Sequence, residues 1–289
     1  MPVRSWLFVP GDSEKKLAKV AGCGADVVIV DLEDAVAPQA KAMARGMARE
    51  WLSGHRGRPF QRWVRINALD TPLWREDALA VIGAAPDGIM IPKAAGPAQL
   101  QVLSGELHDF EQRNGIAPGS TRLLPLVSEA PTAALAVADY VATRLPRLAG
   151  LTWGAEDLSA AIGATRKRHA DGSWTDVFRM VRAQVLLAAH ACGVAAIDTL
   201  HADFRDTAGL ERVARESHAD GFAGMLAIHP DQVAAINAAF MPTEEEVAEA
   251  RRIVAAFSAA PNAGALQLDG RMIDQPHLEQ ARRLLASLG

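Results

Sequence analysis

The 289-residue chain lacks several features that would assign it to large classes of proteins. It has only two cysteines, Cys23 and Cys192, and both lie in Gly/Ala-rich settings, so we expect buried thiols rather than a disulfide. No apolar stretch approaches the roughly 20 residues that span a bilayer, and the N-terminal apolar run is too short for a signal peptide. The formal net charge of −4 gives no basic field for nucleic acid or an anionic membrane. We therefore expect a soluble cytoplasmic protein that binds neither.

Two kinds of sequence motif are also missing. No Gly-x-Gly-x-x-Gly or P-loop follows any of the apolar runs, which weakens a nucleotide-binding, doubly wound sheet. No His or Cys residues occur at zinc-ligand spacing, which argues against zinc.

The chain does have a series of short apolar runs separated by helix-length spacers. Runs such as 27–30 and 88–91 do not alternate polar with apolar residues, which is typical of strands covered on both faces. Eight alternations over about 225 residues predict an α/β fold, a (β/α)₈ TIM barrel, with a doubly wound sheet as the alternative. The eight predicted strands are Trp6–Val9, Val27–Leu32, Trp63–Ile66, Gly88–Ile91, Leu123–Val127, Leu148–Trp153, Ala195–Leu200 and Phe222–Ile228.

The pattern also predicts helices and a domain boundary. Charges at helical spacing indicate helices over 133–145 and 176–191. We assign residues 1–240 to the barrel and 241–289 to a C-terminal segment. That segment begins with a helix over 244–257, for which Thr243 is the N-cap. It continues through a flexible link to a small unit whose last helix starts near His277.

Polar residues follow nearly every predicted strand. In a (β/α)₈ barrel the carboxyl ends of the strands meet at one mouth, where active sites lie. The residues at these ends are Asp31, Glu33, Asp34, Arg65, Asn67, Lys93, Glu129, Glu156, Asp157, Asp198 and His229.

Two of these residues, Glu129 and Asp157, form the candidate metal site. Each alone is equally well explained as a helix cap. Together they follow successive strands about one βα unit apart, so both should reach the same mouth, where uncompensated carboxylates would repel each other. The sequence therefore favours metal ligation by Glu129 and Asp157, and a site of carboxylates and water favours Mg²⁺ or Mn²⁺.

Other strand-end residues have more than one interpretation. Arg65 either neutralises Glu33 in an ion pair or binds a substrate carboxylate, and the two roles are compatible because a paired guanidinium keeps a second edge. Lys93 is placed where a Schiff-base lysine could lie, although a metal would make that chemistry redundant. His229-Pro230 is more typical of a turn or the start of a helix than of a catalytic base.

These residues resemble the motifs of one family, that of the HpcH/HpaI aldolases and citrate lyase β subunits, and within it the CitE-like and malyl-CoA lyase-like acyl-CoA lyases. The resemblance covers nearly the whole chain. Each motif is weakly specific by itself, but the ordered set is strong. The motifs are Arg4-Ser-Trp-Leu-Phe-Val-Pro-Gly11, Asp31-Leu-Glu-Asp-Ala-Val36, Arg65-Ile-Asn67, Ile91-Pro-Lys93, Leu124-Pro-Leu-Val-Ser-Glu129, Gly154-Ala-Glu-Asp-Leu-Ser159 and Ala227-Ile-His-Pro230.

The resemblance implies an activity and a set of roles. It implies a Mg²⁺-dependent barrel enzyme, a homotrimer or hexamer, that cleaves or forms a carbon–carbon bond between an acyl-CoA and a short oxo-acid. Glu129 and Asp157 match the metal ligands, Arg65 the residue that stabilises the enolate, and Glu33 its ion-pair partner. In the tail, Asp274 matches an acid/base that reaches a neighbouring subunit's site, which makes the segment a lid; capping of the last helix is the alternative.

We expect four further residues to contact the substrate: Lys93, Trp153, Gly154 and Ala155. A core role explains Trp153 equally well. One residue departs from the family pattern: Met225 stands where we expect a basic residue, which puts binding of the CoA phosphates in doubt unless Arg4 and Lys16 compensate.

Several other activities remain open at this point. The chain is compatible with a CoA-independent pyruvate aldolase, with a citrate lyase β subunit acting on an acyl-carrier-protein thioester, and with a malyl- or citramalyl-CoA thioesterase. From another class, it is compatible with a catalytically silent binding subunit, which the full set of polar residues at the mouth disfavours.

Overall fold

Eight parallel strands form a barrel in the computed structural model, which describes residues 3–288. The strands are β1 (Ser5–Pro10), β2 (Val27–Asp31), β3 (Gln61–Arg65), β4 (Gly88–Ile91), β5 (Arg122–Pro125), β6 (Gly150–Thr152), β7 (Ala195–Asp198) and β8 (Gly224–Ala227). Hydrogen-bonded pairs run in the order β5-β4-β3-β2-β1-β8-β7-β6, and the bridges Leu123–Leu148 and Leu126–Thr152 join β5 to β6. The (β/α)₈ prediction is therefore confirmed over the doubly wound sheet.

Helices connect the strands on the outside. They are α1 (Glu14–Val20), α2 (Lys41–Gly54), α3 (Leu73–Ile82), α4 (Pro97–Arg113), α5 (Pro131–Leu135), α6 (Asp139–Ala142), α7 (Ala155–Ala161), α8 (Asp176–Ala191), α9 (Thr207–Asp220) and α10 (Asp231–Ala239), with a short 3₁₀ turn at Pro38–Ala40. Among the described helices, none combines the length and apolar character needed to cross a membrane.

The prediction of a single helix over 133–145 is wrong. The segment 133–145 is not one helix but the two short helices α5 and α6, separated by a turn. Val137, in the turn, and Tyr140, in α6, are both 1% exposed, so packing of these side chains overrides the helical propensity of the Ala-rich sequence. The predicted helix over 176–191 is confirmed as α8.

The barrel interior is filled by large apolar side chains. Trp6 and Trp63 meet edge to face with ring centroids 5.0 Å apart, and Leu124, Ile197 and Leu226 belong to the same buried cluster. Gly88 leaves room for this packing, since a Cβ there would come within 2.4 Å of the Trp63 ring. The barrel is therefore a packed core, and only its carboxyl mouth is available for a site.

A second compact unit begins at Ala238, whereas residues 3–237 form the barrel unit. It contains α11 (Glu244–Ala259), the strands β9 (Ala265–Leu268) and β10 (Arg271–Asp274), and α12 (Gln275–Ala286). The predicted cap at Thr243 is confirmed, because Thr243 Oγ1 accepts a hydrogen bond from Glu246 N at 3.1 Å. The role of this unit as a lid stays a prediction.

The tail contains a β-hairpin that we did not predict. Strands β9 and β10 pair in antiparallel fashion around Asp269 and Gly270, whose φ angles are 50° and 80°. Two consecutive residues with positive φ are typical of a two-residue hairpin turn, and Asp-Gly is a preferred sequence for it. This dipeptide was the signal available in the sequence.

Candidate active site

Arg65, at the end of β3, is held by two carboxylates. Its Nε and Nη2 donate to Asp31 Oδ1 and Oδ2 at 2.8 and 2.6 Å, and its Nη1 lies 3.1 Å from Glu33 Oε2. The register pairs Asp31 with Arg65 across β2 and β3, which explains the two-pronged contact. The predicted pairing with Glu33 is present, but the sequence reasoning missed Asp31 as the main partner. The guanidinium also lies over the Phe8 ring, 4.8 Å from its centroid.

Lys93, just after β4, links Glu33 to Glu129. Its ammonium group contacts Glu33 Oε1 and lies 3.3 Å from Asp34 Oδ1, while its backbone N–H donates to Glu129 Oε2. Burial alone would lower the pKa of Lys93, but the Glu33, Asp34 and Glu129 carboxylates outweigh it and raise the pKa above its ordinary value. A Schiff-base lysine needs a neutral amine, so this environment argues against that alternative.

The Lys93 backbone is strained. Its φ of 48° lies in the left-handed region, which costs about 1–2 kcal/mol for a residue with a side chain. This conformation accompanies the hydrogen bond that its N–H donates to Glu129. Strain of this kind clusters at functional sites, where the surrounding structure enforces it.

Glu129 and Asp157 line the same small pocket. It has a volume of about 50 Å³, and Arg65, Trp153 and Ala155 also line it. Glu129 is 5% exposed, and burial raises its pKa to about 8, with the Asp157 and Glu33 carboxylates adding to the rise and the Lys93 N–H opposing it. Burial and a neighbouring carboxylate both disfavour the ionised form of Glu129, so this environment favours a bound cation.

The backbone between β6 and α7 is fitted closely against Glu129. Gly154 N donates to Ser128 Oγ at 3.2 Å, and a Cβ on Gly154 would lie 3.1 Å from Glu129 Cγ. The absence of a side chain at Gly154 therefore lets the segment that carries Asp157 approach the one that carries Glu129.

A larger cavity of about 400 Å³ lies on the other side of Arg65. It is lined by apolar residues of β1 and by Lys16, Lys19 and His229. Arg65 and Phe8 line both this cavity and the small pocket. Arg65 thus lies at the boundary between the two cavities. The small pocket suits a small acid, and the large cavity suits a long ligand.

Three other strand-end residues have structural partners. Asn67 Nδ2 donates to Asp77 Oδ2 at 2.6 Å and to Leu32 O at 3.0 Å, which ties the loop after β2 to α3. Asp198 is 2% exposed and fully hydrogen-bonded. His229 Nδ1 accepts from Asp231 N at 3.3 Å, in keeping with a helix-start role.

The structure answers the question raised by Met225. This residue is 1% exposed within β8, and its N–H donates to Arg4 O at 2.8 Å near the start of β1. Because it lies inside the barrel wall, it carries no information about a ligand at the mouth. Arg4 is paired with Asp26 at 2.9 Å and is not among the residues that line the large cavity, whereas Lys16 does line it. Compensation by either residue stays a prediction.

Comparison with known proteins decides the family. The model of the HpcH/HpaI aldolase/citrate lyase family matches residues 4–230. The chain belongs to this family. The resemblance seen in the sequence is thereby confirmed over most of the chain.

Among family members, a citrate lyase subunit beta-like protein of Mycobacterium tuberculosis is 39% identical over 284 residues, covering 98% of this chain and 95% of the relative. An L-malyl-CoA/beta-methylmalyl-CoA lyase of Cereibacter sphaeroides is 36% identical, covering 97% of this chain and 92% of the relative. A crystal structure of the M. tuberculosis protein CitE in complex with magnesium, acetoacetate and coenzyme A superposes with a TM-score of 0.81 at 36% identity, covering 99% of this chain and 97% of the other.

The family assignment leaves the tail residue Asp274 untested. In the second compact unit Asp274 is the N-cap of α12, and its Oδ1 lies 2.5 Å from His277 Nδ1. This is the capping position that the sequence offered as the alternative. An acid/base role for Asp274 stays a prediction.

Proposed function

We propose that this member of the family is a Mg²⁺-dependent carbon–carbon lyase that cleaves a 3-hydroxyacyl-CoA thioester carrying a second carboxylate into an acyl-CoA and a short oxo-acid. The single observation that supports it best is the position of Arg65 between the small carboxylate-lined pocket and the large cavity. The relatives named as lyases of malyl-CoA, and the CitE structure with magnesium, acetoacetate and coenzyme A, support the same reading.

The residues present fit a hard divalent cation. Glu129 and Asp157 supply two carboxylates. Within residues 3–288 no third His, Cys, Asp or Glu side chain joins them in a metal-binding group, so water and substrate oxygens would complete the coordination. Mg²⁺ takes one or two protein carboxylates and fills its remaining positions with water and substrate oxygens. The same donor set accepts Mn²⁺. The bound cation supplies a Lewis acid that acidifies the substrate hydroxyl and holds the oxo-acid product.

The chain's own residues handle the charge that develops. The hydroxyl would give its proton to a water molecule and become the carbonyl of the oxo-acid, while the carbon–carbon bond breaks and its electron pair forms the enolate of the acyl-CoA. Arg65, at the boundary of the two spaces, stabilises the enolate oxygen through the guanidinium edge that Asp31 does not occupy. Asp31 and Glu33 hold the guanidinium in place, and Lys93 holds Glu33. Gly154 and Ala155 bound the oxo-acid on the side of α7.

The large cavity accommodates the thioester arm. Its wall is apolar along β1, and the exposed ammonium groups of Lys16 and Lys19 lie at its border. Such a combination suits a pantetheine chain followed by phosphates, since apolar walls cover the chain and lysines act as point charges for phosphate.

The tail completes the reaction in this proposal. Asp274 delivers a proton to the enolate carbon and removes it in the reverse direction. It acts in the site of a neighbouring subunit of a homotrimer or hexamer, where the C-terminal segment excludes water as a lid.

A substrate panel tests the proposed function. Malyl-, citramalyl-, hydroxymethylglutaryl- and citryl-CoA are incubated with the enzyme, and acyl-CoA and oxo-acid are measured with Mg²⁺ and with EDTA. We expect one or more to be cleaved only with the metal, and Glu129→Gln and Asp157→Asn to lose that turnover. Equal turnover of either variant in EDTA, or free CoA in place of acyl-CoA as the product, would contradict the proposal.

A further inference from the structure

A buried hydrogen-bond network joins the small pocket to the outer helices. Its centre is the carboxylate of Asp198, at the end of β7, which is 2% exposed. Trp153 Nε1 donates to Asp198 Oδ1 at 2.7 Å, and Thr199 N donates to the same oxygen at 2.8 Å. On the other side, Arg182 Nη2 and Ser217 Oγ lie 2.8 and 2.6 Å from Oδ2.

The two oxygens of Asp198 serve different parts of the molecule. Both donors to Oδ1, Trp153 and Thr199, line the small pocket that contains Glu129 and Asp157. Both partners of Oδ2, Arg182 and Ser217, belong to the outer helices α8 and α9. With two donors on each oxygen, the carboxylate is saturated and has no position left for a metal ion or a substrate proton.

Trp153 is joined directly to the metal-ligand segments. Strands β6 and β7 pair in register as far as Thr152 and Ile197, so Trp153 and Asp198 are the next pair, and a side-chain hydrogen bond takes the place of the ladder there. The residue after Trp153 is Gly154, which bonds to Ser128 and abuts Glu129. Asp157 follows in the first turn of α7.

We infer that Asp198 is a positioning residue for the reaction: through Trp153 and Thr199 it holds two walls of the small pocket and thereby sets the approach of Asp157 to Glu129. This inference rests on the proposed function, because it assumes that Glu129 and Asp157 bind the cation together. Residues that hydrogen-bond directly to metal ligands change metal affinity or activity by about 10–100-fold when removed, and Asp198, which acts through Trp153 and Thr199, should fall at the lower end of that range.

The test compares Trp153→Phe with two matched controls. Trp153→Phe removes the indole N–H but keeps an aromatic ring. Trp174→Phe makes the same change in size at the ring that contacts Trp153 edge to face, 5.1 Å away, and Ser217→Ala removes one partner of Oδ2. Asp198→Leu removes the carboxylate, whereas Asp198→Asn keeps an oxygen that accepts the indole hydrogen bond. In both variants Arg182 retains its ion pair with Asp220, at 2.7 Å.

The measurements are the Mn²⁺ dissociation constant by electron paramagnetic resonance, kcat and KM with the cleaved thioester, and Tm. We expect Trp153→Phe to weaken Mn²⁺ binding or lower kcat about 10-fold or more, with both controls within about threefold of the wild type. We expect Asp198→Asn to retain more of both quantities than Asp198→Leu does.

Two results would overturn the inference while the proposed function stands: a Trp153→Phe enzyme whose metal affinity and kcat match those of the controls, or controls that lose as much as Trp153→Phe. If Asp198→Leu does not fold, Trp153→Phe still decides. A wild-type enzyme that binds no divalent ion, or cleaves equally well without one, would overturn the proposed function and the inference with it.

Discussion

At the scale of single residues, the site depends on close contacts that leave little freedom to its carboxylates. On one side, Glu129 accepts a hydrogen bond from the backbone N–H of Lys93, whose φ angle is strained. On the other side it packs against Gly154, which has no side chain. The charges and the backbone together determine where its oxygens point. Small changes in side-chain volume should therefore affect the metal more than the fold.

Replacing Gly154 by Ala tests this closeness. Gly154 has φ −118° and ψ 111°, which any residue adopts, so the variant should fold. Its Cβ would meet Glu129 Cγ at 3.1 Å and displace the carboxylate by a few tenths of an ångström. We expect the Mn²⁺ affinity or kcat to fall about tenfold with little change in Tm, since small misplacements have large effects on catalysis.

Gly105→Ala is the matched control for Gly154→Ala. Gly105 lies in α4, and a Cβ there would meet nothing within 4 Å. This change should raise stability by up to about 1 kcal/mol, because Ala is the better helix former, and leave kcat unchanged. Full activity in Gly154→Ala would show that the contact with Glu129 is tolerated.

At the scale of elements, a buried ion pair ties α4 to the loop before β6, and further hydrogen bonds tie it to the loop before β5. Glu111 is fully buried and lies 2.7 Å from both Nη1 and Nη2 of Arg147, and it also accepts from Gly119 N and Thr121 N. Burial alone would raise the pKa of Glu111, but these donors outweigh it and lower the pKa to about 2. The pair lies in the barrel unit at the amino end of β5 and is absent from the candidate site.

Glu111→Gln should destabilise the protein without a direct effect on the site. Arg147 would stay buried without its partner, which costs about 3–5 kcal/mol in comparable pairs. Urea denaturation at pH 7 measures the loss. Glu216→Gln, in the exposed pair with Arg212, is the control, and we expect a change of less than about 1 kcal/mol.

The lowered pKa also sets the direction of a pH effect. The stabilisation by Glu111 is present above its ordinary pKa of 4.5 and is lost as the pH falls towards 2. The difference in stability between the wild type and Glu111→Gln should therefore shrink over that range. A difference that stays constant from pH 7 to pH 3 would contradict the assignment of the shift to this pair.

At the scale of the whole molecule, the unit from residue 238 onwards is proposed to supply Asp274 to the site of a neighbouring subunit. If Asp274 acts in a neighbouring subunit, two inactive variants should complement each other. Glu129→Gln subunits still supply Asp274, and Asp274→Asn subunits still supply Glu129. With random mixing after subunit exchange, we expect about a quarter of the wild-type activity to return.

Light scattering measures the oligomeric state, and subunit exchange is followed with differently tagged chains. Asp274→Asn alone should bind Mn²⁺ like the wild type but fail to exchange protons at the acyl carbon in deuterated water. An exchanged mixture that stays inactive would place Asp274 in its own subunit or outside the mechanism. An active Asp274→Asn enzyme would leave the residue with its capping role at α12 alone.

The alternation of strands and helices, and with it the barrel and its mouth, could be predicted from the sequence because these features depend on local patterns of apolar residues. The sequence also placed Glu129, Asp157, Arg65 and Lys93 at strand ends, where parallel strands bring polar residues together. It overextended β5 to β8, since apolar residues continue past the last ladder hydrogen bond into the loops.

Which of these residues contact each other could be seen only in the folded chain. The contact of Asp31 with two nitrogens of Arg65 follows from the register of β2 and β3. Asp198 receives its four hydrogen bonds from different parts of the chain: Trp153 after β6, its neighbour Thr199, and the helix residues Arg182 and Ser217. The split of residues 133–145 into two helices and the burial of Met225 have the same origin. Long-range packing and hydrogen bonds determine such pairings, and they leave no local pattern in the chain.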